Sequence, residues 1–255
     1  MSDDWMPVGA DDWRPASLPA LAEHAVHVWR VALDDETRVG ASWTLLAPEE
    51  QARAQRLHDA VHRRRFVLAH AALRALLAGY LDAAPSAIAY TLGAHGKPAL
   101  ARGDGGRADV EFNLSHSQDI ALIALARGRP VGVDVQHWSE KTEHLRLADR
   151  FFSPSERDAL RALTHEAEDV SRAFYAAWTR KEAYVKATGH GIARGLHHFD
   201  VTLAPGEHAR LLADRLDPDA PARWSMTALE PAPRYSAAVV VAAPLRAVAR
   251  FALRA

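Results

Sequence analysis

The amino-acid sequence predicts an α/β (α+β) protein built from two similar subdomains in a pseudo-two-fold arrangement. Amphipathic helical segments alternate with short strands rich in β-branched residues, which is typical of mixed α/β proteins. The two halves also echo one another. RRRFVLAHAALRALLAGYL resembles FYAAWTRKEAYVKATGHGI in the spacing of aromatic, apolar and cationic residues, and DIALIALARG resembles SAAVVVAAPL. These observations predict two subdomains that face each other across a cleft, and such clefts commonly bind ligands.

We expect three segments along the chain: an N-terminal arm over residues 1–25, an N-terminal subdomain over residues 26–128 and a C-terminal subdomain over residues 129–255. The arm holds two copies of an Asp-Asp-Trp-x-Pro unit, whose proline and acidic residues argue against regular structure. We nevertheless expect Trp5 or Trp13 to pack on the folded body or in a groove that faces a partner.

In the first half, the predicted boundaries follow from apolar periodicity and turn residues. Pro48, followed by two glutamates, indicates the start of a long helix that continues to about Leu81. A Gly-Lys-Pro turn at residues 96–98 follows the second predicted strand. The predicted strands are Val26–Leu33, Ala87–Leu92, Glu111–Leu114, Ile120–Ala126 and Val131–Val135.

The second half begins its helices at a capping box. Ser153 and Glu156 have the capping-box spacing, and Pro154 stands at the first helical position between them. A second helix contains WTRKEAYVKATGHGI and ends at its glycines. The predicted strands that follow are Phe199–Leu203, Trp224–Leu229 and Ser236–Ala243.

Composition excludes several classes of function. The net charge of −1 over 255 residues gives no electrostatic footprint for nucleic acid or for an anionic membrane. The chain has no cysteine, which excludes disulfides, thiolate nucleophiles and Cys-ligated zinc. No apolar run is long enough to span a bilayer, and the acidic N-terminus does not resemble a secretory signal. We therefore expect a cytoplasmic protein, and the internal duplication favours a monomer.

Two acidic residues are candidates for a metal site. Asp134 lies inside the β-branched run VGVDVQ, where a carboxylate is unusual, and strand alternation places Gln136 on the same face. Glu182 comes from the later helix. Carboxylates from two elements, with waters and substrate phosphates, are the usual surroundings of Mg²⁺ at phosphate-transfer sites. The alternative for Asp134 is a strand-end residue that caps a turn or meets an arginine.

The helix around Glu182 carries two cations that could bind phosphate. Trp178, Glu182 and Lys186 form one stripe because residues four apart are neighbours on a helix. Lys181 and Lys186 flank the glutamate and could contact phosphate oxygens. The alternative is a core tryptophan followed by a surface Glu–Lys pair of little energetic weight.

Further candidate phosphate donors come from the first half. Ser115 and His116 in FNLSHS stand where a predicted strand ends and a loop begins, and their hydroxyl and imidazole could donate to a phosphate. The alternative is that both residues complete a turn. The arginines of the first long helix should mostly form a solvated basic face, although Arg53 or Arg65 could offer paired donors to a phosphate.

Taken in order, five blocks of this sequence resemble the Sfp-type 4′-phosphopantetheinyl transferases. They are GKPAL (96–100), FNLSHS (112–117), VGVDVQ (131–136), RFFSPSE (150–156) and WTRKEAYVKATGHGI (178–192). The resemblance implies the pseudo-two-fold transferase fold, coenzyme A as co-substrate, Mg²⁺ as cofactor and a serine of an apo acyl or peptidyl carrier protein as acceptor. The products would be holo-carrier protein and adenosine 3′,5′-bisphosphate. Polyketide, non-ribosomal peptide and fatty-acid synthesis are the candidate client pathways.

The same resemblance implies roles at the reaction centre. Asp134 and Glu182 would bind Mg²⁺, and Gln136 stands where many members carry a third acidic ligand. Lys181 and Lys186 would contact the diphosphate, with Lys186 near the leaving group. We expect Glu182 to take the proton of the carrier serine, so Asp134, Glu182 and Lys186 are the expected catalytic residues. Because Gln136 is neutral, a non-catalytic regulatory protein that binds coenzyme A is the alternative function.

The remaining carried-over residues would bind the nucleotide part of coenzyme A. Ser115 and His116 would contact the 3′-phosphate with help from Arg53 and Arg65. Lys97 and Pro98 would border the adenine.

Overall fold

The larger sheet of this computed structural model contains strands from both ends of the chain. The model describes residues 5–11, 13–15, 17–93, 95–101, 109–163, 167–191 and 194–254. Six strands run in the order β2-β1-β13-β3-β7-β6. They are β1 (Met6–Asp11), β2 (Arg14–Pro15), β3 (Ala25–Ala32), β6 (Val110–Ser117), β7 (Ile120–Arg127) and β13 (Ala247–Arg254).

Three helices follow β3, and the longest packs on the sheet. They are α1 (Val39–Trp43), α2 (Pro48–Gln55) and α3 (Ala60–Leu81). The predicted single helix from Pro48 to Leu81 is therefore wrong. It breaks because Asp59 takes an extended conformation and caps α3, with its carboxylate accepting the His62 N–H at 2.8 Å.

The second half is built on a smaller sheet. Its strands β8 (Val131–His137), β11 (Trp224–Leu229) and β12 (Tyr235–Ala242) run in the order β11-β12-β8. The helices are α4 (His144–Phe151), α5 (Pro154–Ala162), α6 (Ala167–Thr188) and the short α7 (Ala220–Arg223). The capping box at the start of α5 is confirmed, because the side chains of Ser153 and Glu156 each bind the other's backbone N–H.

The two halves share one topology, which confirms the predicted pseudo-two-fold arrangement. In each half a strand leads through short helices to a 22-residue helix, α3 or α6. A two-stranded hairpin follows, formed by β4 (Tyr90–Leu92) and β5 (Pro98–Leu100) or by β9 (Phe199–Val201) and β10 (Leu211–Asp214). Two antiparallel strands then complete the half, so that β3-β7-β6 corresponds to β8-β12-β11.

The chain ends depart from the predicted segments. Residues 6–11 are not part of a separate irregular arm such as the one predicted for residues 1–25, because β1 pairs in parallel with β13. The C-terminal subdomain does not contain all of residues 129–255 either, because β13 lies between β1 and β3 in the larger sheet. β13 joins the larger sheet because burial of its apolar side chains is favourable. Phe251 and Leu253 are buried in the hydrophobic core between this sheet and α3, which we call the first core.

Both tryptophans of the N-terminal repeat pack on the body, as predicted for at least one of them. Trp13 is buried in the first core, and its indole N–H donates to Ser42 Oγ at 2.7 Å. Trp5 packs against a cluster shared by both halves, and its indole N–H donates to the Glu230 carbonyl at 3.4 Å. These contacts tie the N-terminal segment to each half.

Aliphatic residues join the two sheets. Val26, Val28 and Leu122 of the larger sheet pack with Val133 and Val135 of β8 in one buried cluster. As a result, β6 at the edge of the larger sheet lies beside β8 at the edge of the smaller one, and we call this contact between β6 and β8 the seam. No helix in the described ranges is both long and apolar enough to cross a membrane.

Candidate active site

A glycine brings α6 unusually close to β8. A Cβ on Gly132 would lie 2.2 Å from the Ala183 carbonyl oxygen and 2.3 Å from the Ala187 nitrogen, so only glycine fits against this helix backbone. The next residue but one along β8 is Asp134, and Lys186 lies on the same helix turn as Ala187. Close packing at Gly132 therefore places the Lys186 amine beside the Asp134 carboxylate. A glycine inside the VGVDVQ strand was the sequence signal for this contact, and its role was not predicted.

Asp134 is held by three side chains at the seam. It is almost fully buried, and its Oδ1 accepts from Lys186 Nζ at 2.6 Å and from Ser115 Oγ at 2.9 Å. Its Oδ2 accepts from the Gln136 amide at 3.3 Å. Lys186 also donates to Ser115 Oγ at 2.9 Å and to the Val133 carbonyl at 3.2 Å. The structure thus brings together four of the predicted site residues. Among the residues that it describes, Asp134 neither caps a turn nor pairs with an arginine.

Glu182 lies within the electrostatic reach of this network. Burial is the main cause that raises its pKa, and the negative charge of Asp134 raises it further, while Lys186 opposes both. Within the described part of the chain, the Glu182 carboxylate has no hydrogen-bond or ion-pair partner. Two carboxylates with like charge and only one cation between them form a place where a further positive charge is stabilising.

The donor set of this site fits Mg²⁺. No group of three or more His, Cys, Asp or Glu side chains is gathered into a metal cluster among the residues that the structure describes. A pair of carboxylates nevertheless suits a hard cation that keeps several waters and takes its other oxygens from substrate phosphates. Gln136 in its present orientation donates to Asp134, so its side-chain carbonyl oxygen is the atom left to face a cation.

The prediction that Lys181 contacts the diphosphate is wrong. Its side chain is fully buried on the other side of α6 and forms an ion pair with Glu156 at 2.7 Å. The same amine donates to the carbonyls of Leu196 at 2.9 Å and Phe199 at 2.5 Å. An ammonium group has three protons, and these three acceptors use all of them. Lys181 is therefore a structural residue of the second half.

Trp178 matches the alternative given for its helix stripe. It packs in the second hydrophobic core, where its ring contacts Phe151 at 5.6 Å and Phe174 at 5.7 Å between centroids. Glu182 and Lys186 continue the stripe into the site. This face of α6 therefore packs in the core through Trp178 and reaches the seam through Glu182 and Lys186.

Ser115 and His116 lie inside β6 rather than at its end, because the strand continues to Ser117. Alternation then separates them: Ser115 is buried towards Asp134, while His116 lies at the surface. Partial burial first, and then the nearby basic groups His70, Lys186, Arg65 and His62, lower the pKa of His116. Basic groups gathered around a surface imidazole are suited to an anion.

The two predicted arginines have different surroundings. Arg65 is near His116, but its guanidinium already donates to Asp119 at 3.0 Å and Gln118 at 2.9 Å. Arg53 is exposed on α2, with its guanidinium 5.2 Å from the centre of the Phe66 ring. Arg65 uses two of its five N–H donors in these contacts, so the others can reach an anion, whereas Arg53 contacts the Phe66 ring.

Lys97 and Pro98 belong to the β4–β5 hairpin beside the end of α6. The Lys97 amine donates to the Val131 carbonyl at 2.9 Å, which fixes the hairpin against the start of β8. Burial lowers the pKa of Lys97, and Glu111 opposes that effect. Pro98 is exposed and pairs with Leu92. These residues form one wall at the Gly189 end of the helix.

Comparisons with known proteins agree with this arrangement. The family model described as the 4′-phosphopantetheinyl transferase superfamily matches residues 130–240. The 4′-phosphopantetheinyl transferase HetI from Nostoc sp. is 38% identical over 240 residues, covering 93% of each protein. The 4′-phosphopantetheinyl transferase psf-1 from Bacillus pumilus is 31% identical, covering 78% of this chain and 80% of its own length.

Among solved structures, the ACPS–CoA complex of Chronobacterium ammoniagenes covers 46% of this chain and 98% of its own, with 18% identity and a TM-score of 0.34. That likeness is too weak to bear on ligand binding. The match to HetI, by contrast, extends over 93% of the chain and therefore includes both halves. The chain belongs to the 4′-phosphopantetheinyl transferase family.

Proposed function

We propose that this chain transfers the 4′-phosphopantetheine group of coenzyme A to a serine of an apo acyl or peptidyl carrier protein. The observation that carries the proposal is the convergence of Asp134, Glu182 and Lys186 at one seam, on elements from two different parts of the second half. Two carboxylates and a lysine amine are the groups that a diphosphate and its divalent cation require.

The nucleotide is proposed to lie along the seam. Lys186 is the cation closest to the carboxylates and would contact the diphosphate oxygens. The basic groups around His116 suit the 3′-phosphate, and the hairpin wall formed by Lys97 and Pro98 suits the adenine. Lys181 has no part in this binding site because its donors are used in the core.

Asp134 and Glu182 would hold Mg²⁺, with Gln136 beside them. When bound there, Mg²⁺ supplies positive charge that offsets the charge of the diphosphate oxygens. The Lys186 amine, 2.6 Å from Asp134 Oδ1, supplies a further positive charge next to the same carboxylate.

The reaction exchanges one phosphorus–oxygen bond for another. The carrier serine oxygen forms a bond to the phosphorus that bears the pantetheine arm, while the bond from that phosphorus to the bridging oxygen breaks. The electron pair leaves with the 5′-phosphate of adenosine 3′,5′-bisphosphate, and Lys186 offsets the charge that develops there. The serine proton passes to Glu182, whose raised pKa brings it closer to that of an effective base at neutral pH.

We also propose that the protein acts as a monomer in the cytoplasm. The two halves already form the whole seam within one chain, and the near-neutral net charge offers no general surface for nucleic acid or anionic lipid. Size-exclusion chromatography with light scattering checks the monomer, and a mass near 56 kDa, roughly twice that of the chain, would contradict it.

A transfer assay tests the proposed function. Purified protein, labelled coenzyme A, Mg²⁺ and a panel of apo-carrier domains should yield labelled holo-carrier. We expect Asp134→Ala and Glu182→Ala each to lower kcat by at least about 10³-fold, since each removes charge stabilisation or the base. Their circular dichroism spectra should match that of the wild type. Near-normal transfer by either folded variant would reject the site, and binding of coenzyme A by the wild type without transfer to any carrier would indicate a regulatory protein instead.

A further inference from the structure

The strand that carries Asp134 is held on one edge by side chains. One edge of β8 pairs with β12 through a regular antiparallel ladder. The other edge faces β6, and here the structure shows side-chain links. Asn113 Oδ1 accepts the Val133 N–H at 2.9 Å, and Ser117 Oγ accepts the His137 N–H at 3.0 Å. The two linked backbone groups lie on either side of Asp134.

We propose that Asn113 and Ser117 are positioning residues for the transfer reaction, because they fix β8 on both sides of Asp134 and so set the place of its carboxylate relative to Glu182. This inference rests on the proposed function, in which both carboxylates hold the cation. Neither residue touches the reacting atoms.

The spacing of these residues suits that role. Residues 113, 115 and 117 lie on one face of β6 because side chains alternate along a strand. Asn113 and Ser117 bind the backbone, and Ser115 between them binds the Asp134 carboxylate itself at 2.9 Å. The anchored groups of β8 are four residues apart, or about 13 Å along the strand. Asp134 is therefore held from both directions as well as by its own carboxylate contact.

The side-chain links take the place of a backbone ladder at the seam. β6 and β8 lie in different sheets and share no ladder, and the Lys186 amine contacts both Ser115 of β6 and Asp134 of β8. The links also satisfy edge N–H groups that would otherwise be buried without a partner.

Three variants and a control test the proposal. Ser117→Ala removes the acceptor of the His137 N–H, and Asn113→Leu removes that of the Val133 N–H at nearly constant volume. Ser117→Thr keeps the hydroxyl. Ser42→Ala is the control, because it removes a buried hydrogen bond to Trp13 that is remote from the seam. The readouts are the Kd of Mn²⁺ by electron paramagnetic resonance with coenzyme A present, the Mg²⁺ concentration for half-maximal transfer, and Tm.

We expect Ser117→Ala and Asn113→Leu to weaken Mn²⁺ binding and to raise the half-maximal Mg²⁺ concentration by about 10-fold, a typical effect of residues that support metal ligands. Ser117→Thr should stay close to the wild type. Ser42→Ala should lower Tm without changing either metal readout.

Two results would overturn the proposal: wild-type Mn²⁺ affinity in Ser117→Ala, or equal loss in Ser117→Ala and Ser117→Thr. Asn113 is more buried than Ser117, so Asn113→Leu could fail to fold. The comparison of Ser117→Ala with Ser117→Thr is therefore the decisive test of the proposal. Failure of the proposed function has a different signature: either the wild type transfers nothing to any carrier, or Asp134→Ala itself retains transfer.

Discussion

The two halves of the molecule use the same strand–helix contact in opposite ways. In the first half, β3 presents His27 and Trp29 to Tyr80 of α3, and the tyrosine hydroxyl lies 2.7 Å from His27 Nδ1 and 3.1 Å from Trp29 Nε1. Trp29 is fully buried. In the second half, the corresponding strand β8 presents Gly132 and Asp134 to α6. Large aromatic side chains fill the contact between β3 and α3, whereas a glycine and a carboxylate make the contact between β8 and α6 polar.

The difference shows that equivalent positions of the two halves have different roles, one in packing and the other in the candidate site. At this contact the first half has a packed aromatic core, whereas the second half has charged groups in the same place. Buried polar groups cost stability unless they are paired, so a site of this kind depends on a well-packed support. The aliphatic cluster between the sheets provides that support.

One buried ion pair is common to both halves. The third residue of a short helix, Glu50 in α2 or Glu156 in α5, caps its own helix start and pairs with a cation on the following long helix. The cation is Arg74 in the first half and Lys181 in the second, each the fifteenth residue of its helix. The repeat therefore explains why Lys181 is structural although it adjoins Glu182.

The largest expected effect tests this common ion pair. Lys181→Met should destabilise the protein by about 3–5 kcal/mol, because it leaves the Glu156 carboxylate buried and unpaired. Arg74→Met should have an effect of similar size in the first half. Urea unfolding at 25 °C measures both. Lys186→Met is the contrasting variant, since Lys186 belongs to the proposed diphosphate site and its loss should lower the transfer rate as well as stability. A Lys181→Met variant with wild-type stability and lost affinity for coenzyme A would restore Lys181 to the binding site.

The aromatic contact of the first half should make stability depend on pH. Burial lowers the pKa of His27 from 6.5 to about 4, so the unfolded chain binds the proton more tightly than the folded protein. The contribution of neutral His27 to the free energy of unfolding is fully present above pH 6.5. It is lost as the pH falls towards 4, by up to about 3 kcal/mol. His27→Gln cannot titrate and should reduce this dependence in urea unfolding at pH 7 and pH 4.5, whereas the surface variant His58→Gln should not. Identical slopes for wild type and His27→Gln would contradict this assignment.

The close approach in the second half gives the next prediction. Gly132→Ala should push α6 away from β8, at a cost of about 1–3 kcal/mol, because the new Cβ meets backbone atoms that cannot move alone. The shift would separate Lys186 from Asp134 and should lower kcat by about 10²-fold. Gly40→Ala is the matched control, since nothing lies within 4 Å of its Cβ position. Equal kinetics for Gly132→Ala and wild type would show that the close approach does not matter for transfer.

The smallest effect concerns Glu182 and has the opposite pH dependence to that of His27. Burial and Asp134 raise the pKa of Glu182, so the folded protein binds this proton more tightly than the unfolded chain. Stability is then lost as the pH rises above 4.5, the ordinary value for glutamate. Glu182→Gln should have a higher Tm than wild type at pH 7 and an equal Tm near pH 4, measured without Mg²⁺. A lower Tm at pH 7 would mean that the carboxylate stabilises the fold.

Patterns that depend on neighbouring residues could be predicted from the sequence. The capping box of α5 and the strand Trp224–Leu229 have the predicted positions, and both long helices contain the predicted apolar faces. Asp134 and Lys186 could each be named as candidates from local patterns, a β-branched strand and the stripe of a helix, although their direct contact was not predicted.

Features that depend on distant pairing could not be predicted in this way. Nothing local to β13 shows that it inserts between β1 and β3. Helix geometry does separate Lys181 from the site. At about 100° per residue, the Lys181 side chain points about 140° away from that of Lys186 on an α-helix. The sequence shows that polar residues alternate at positions 113, 115 and 117. That Asn113 and Ser117 bind the backbone of β8 follows only from the position of β8 in the fold.

The most direct test of the account is the location of a divalent cation in crystals grown with coenzyme A and Mn²⁺. Anomalous scattering should show one ion within coordination distance of both Asp134 and Glu182 and in contact with the diphosphate. An ion bound elsewhere, with these two carboxylates turned away from it and from the diphosphate, would contradict the account.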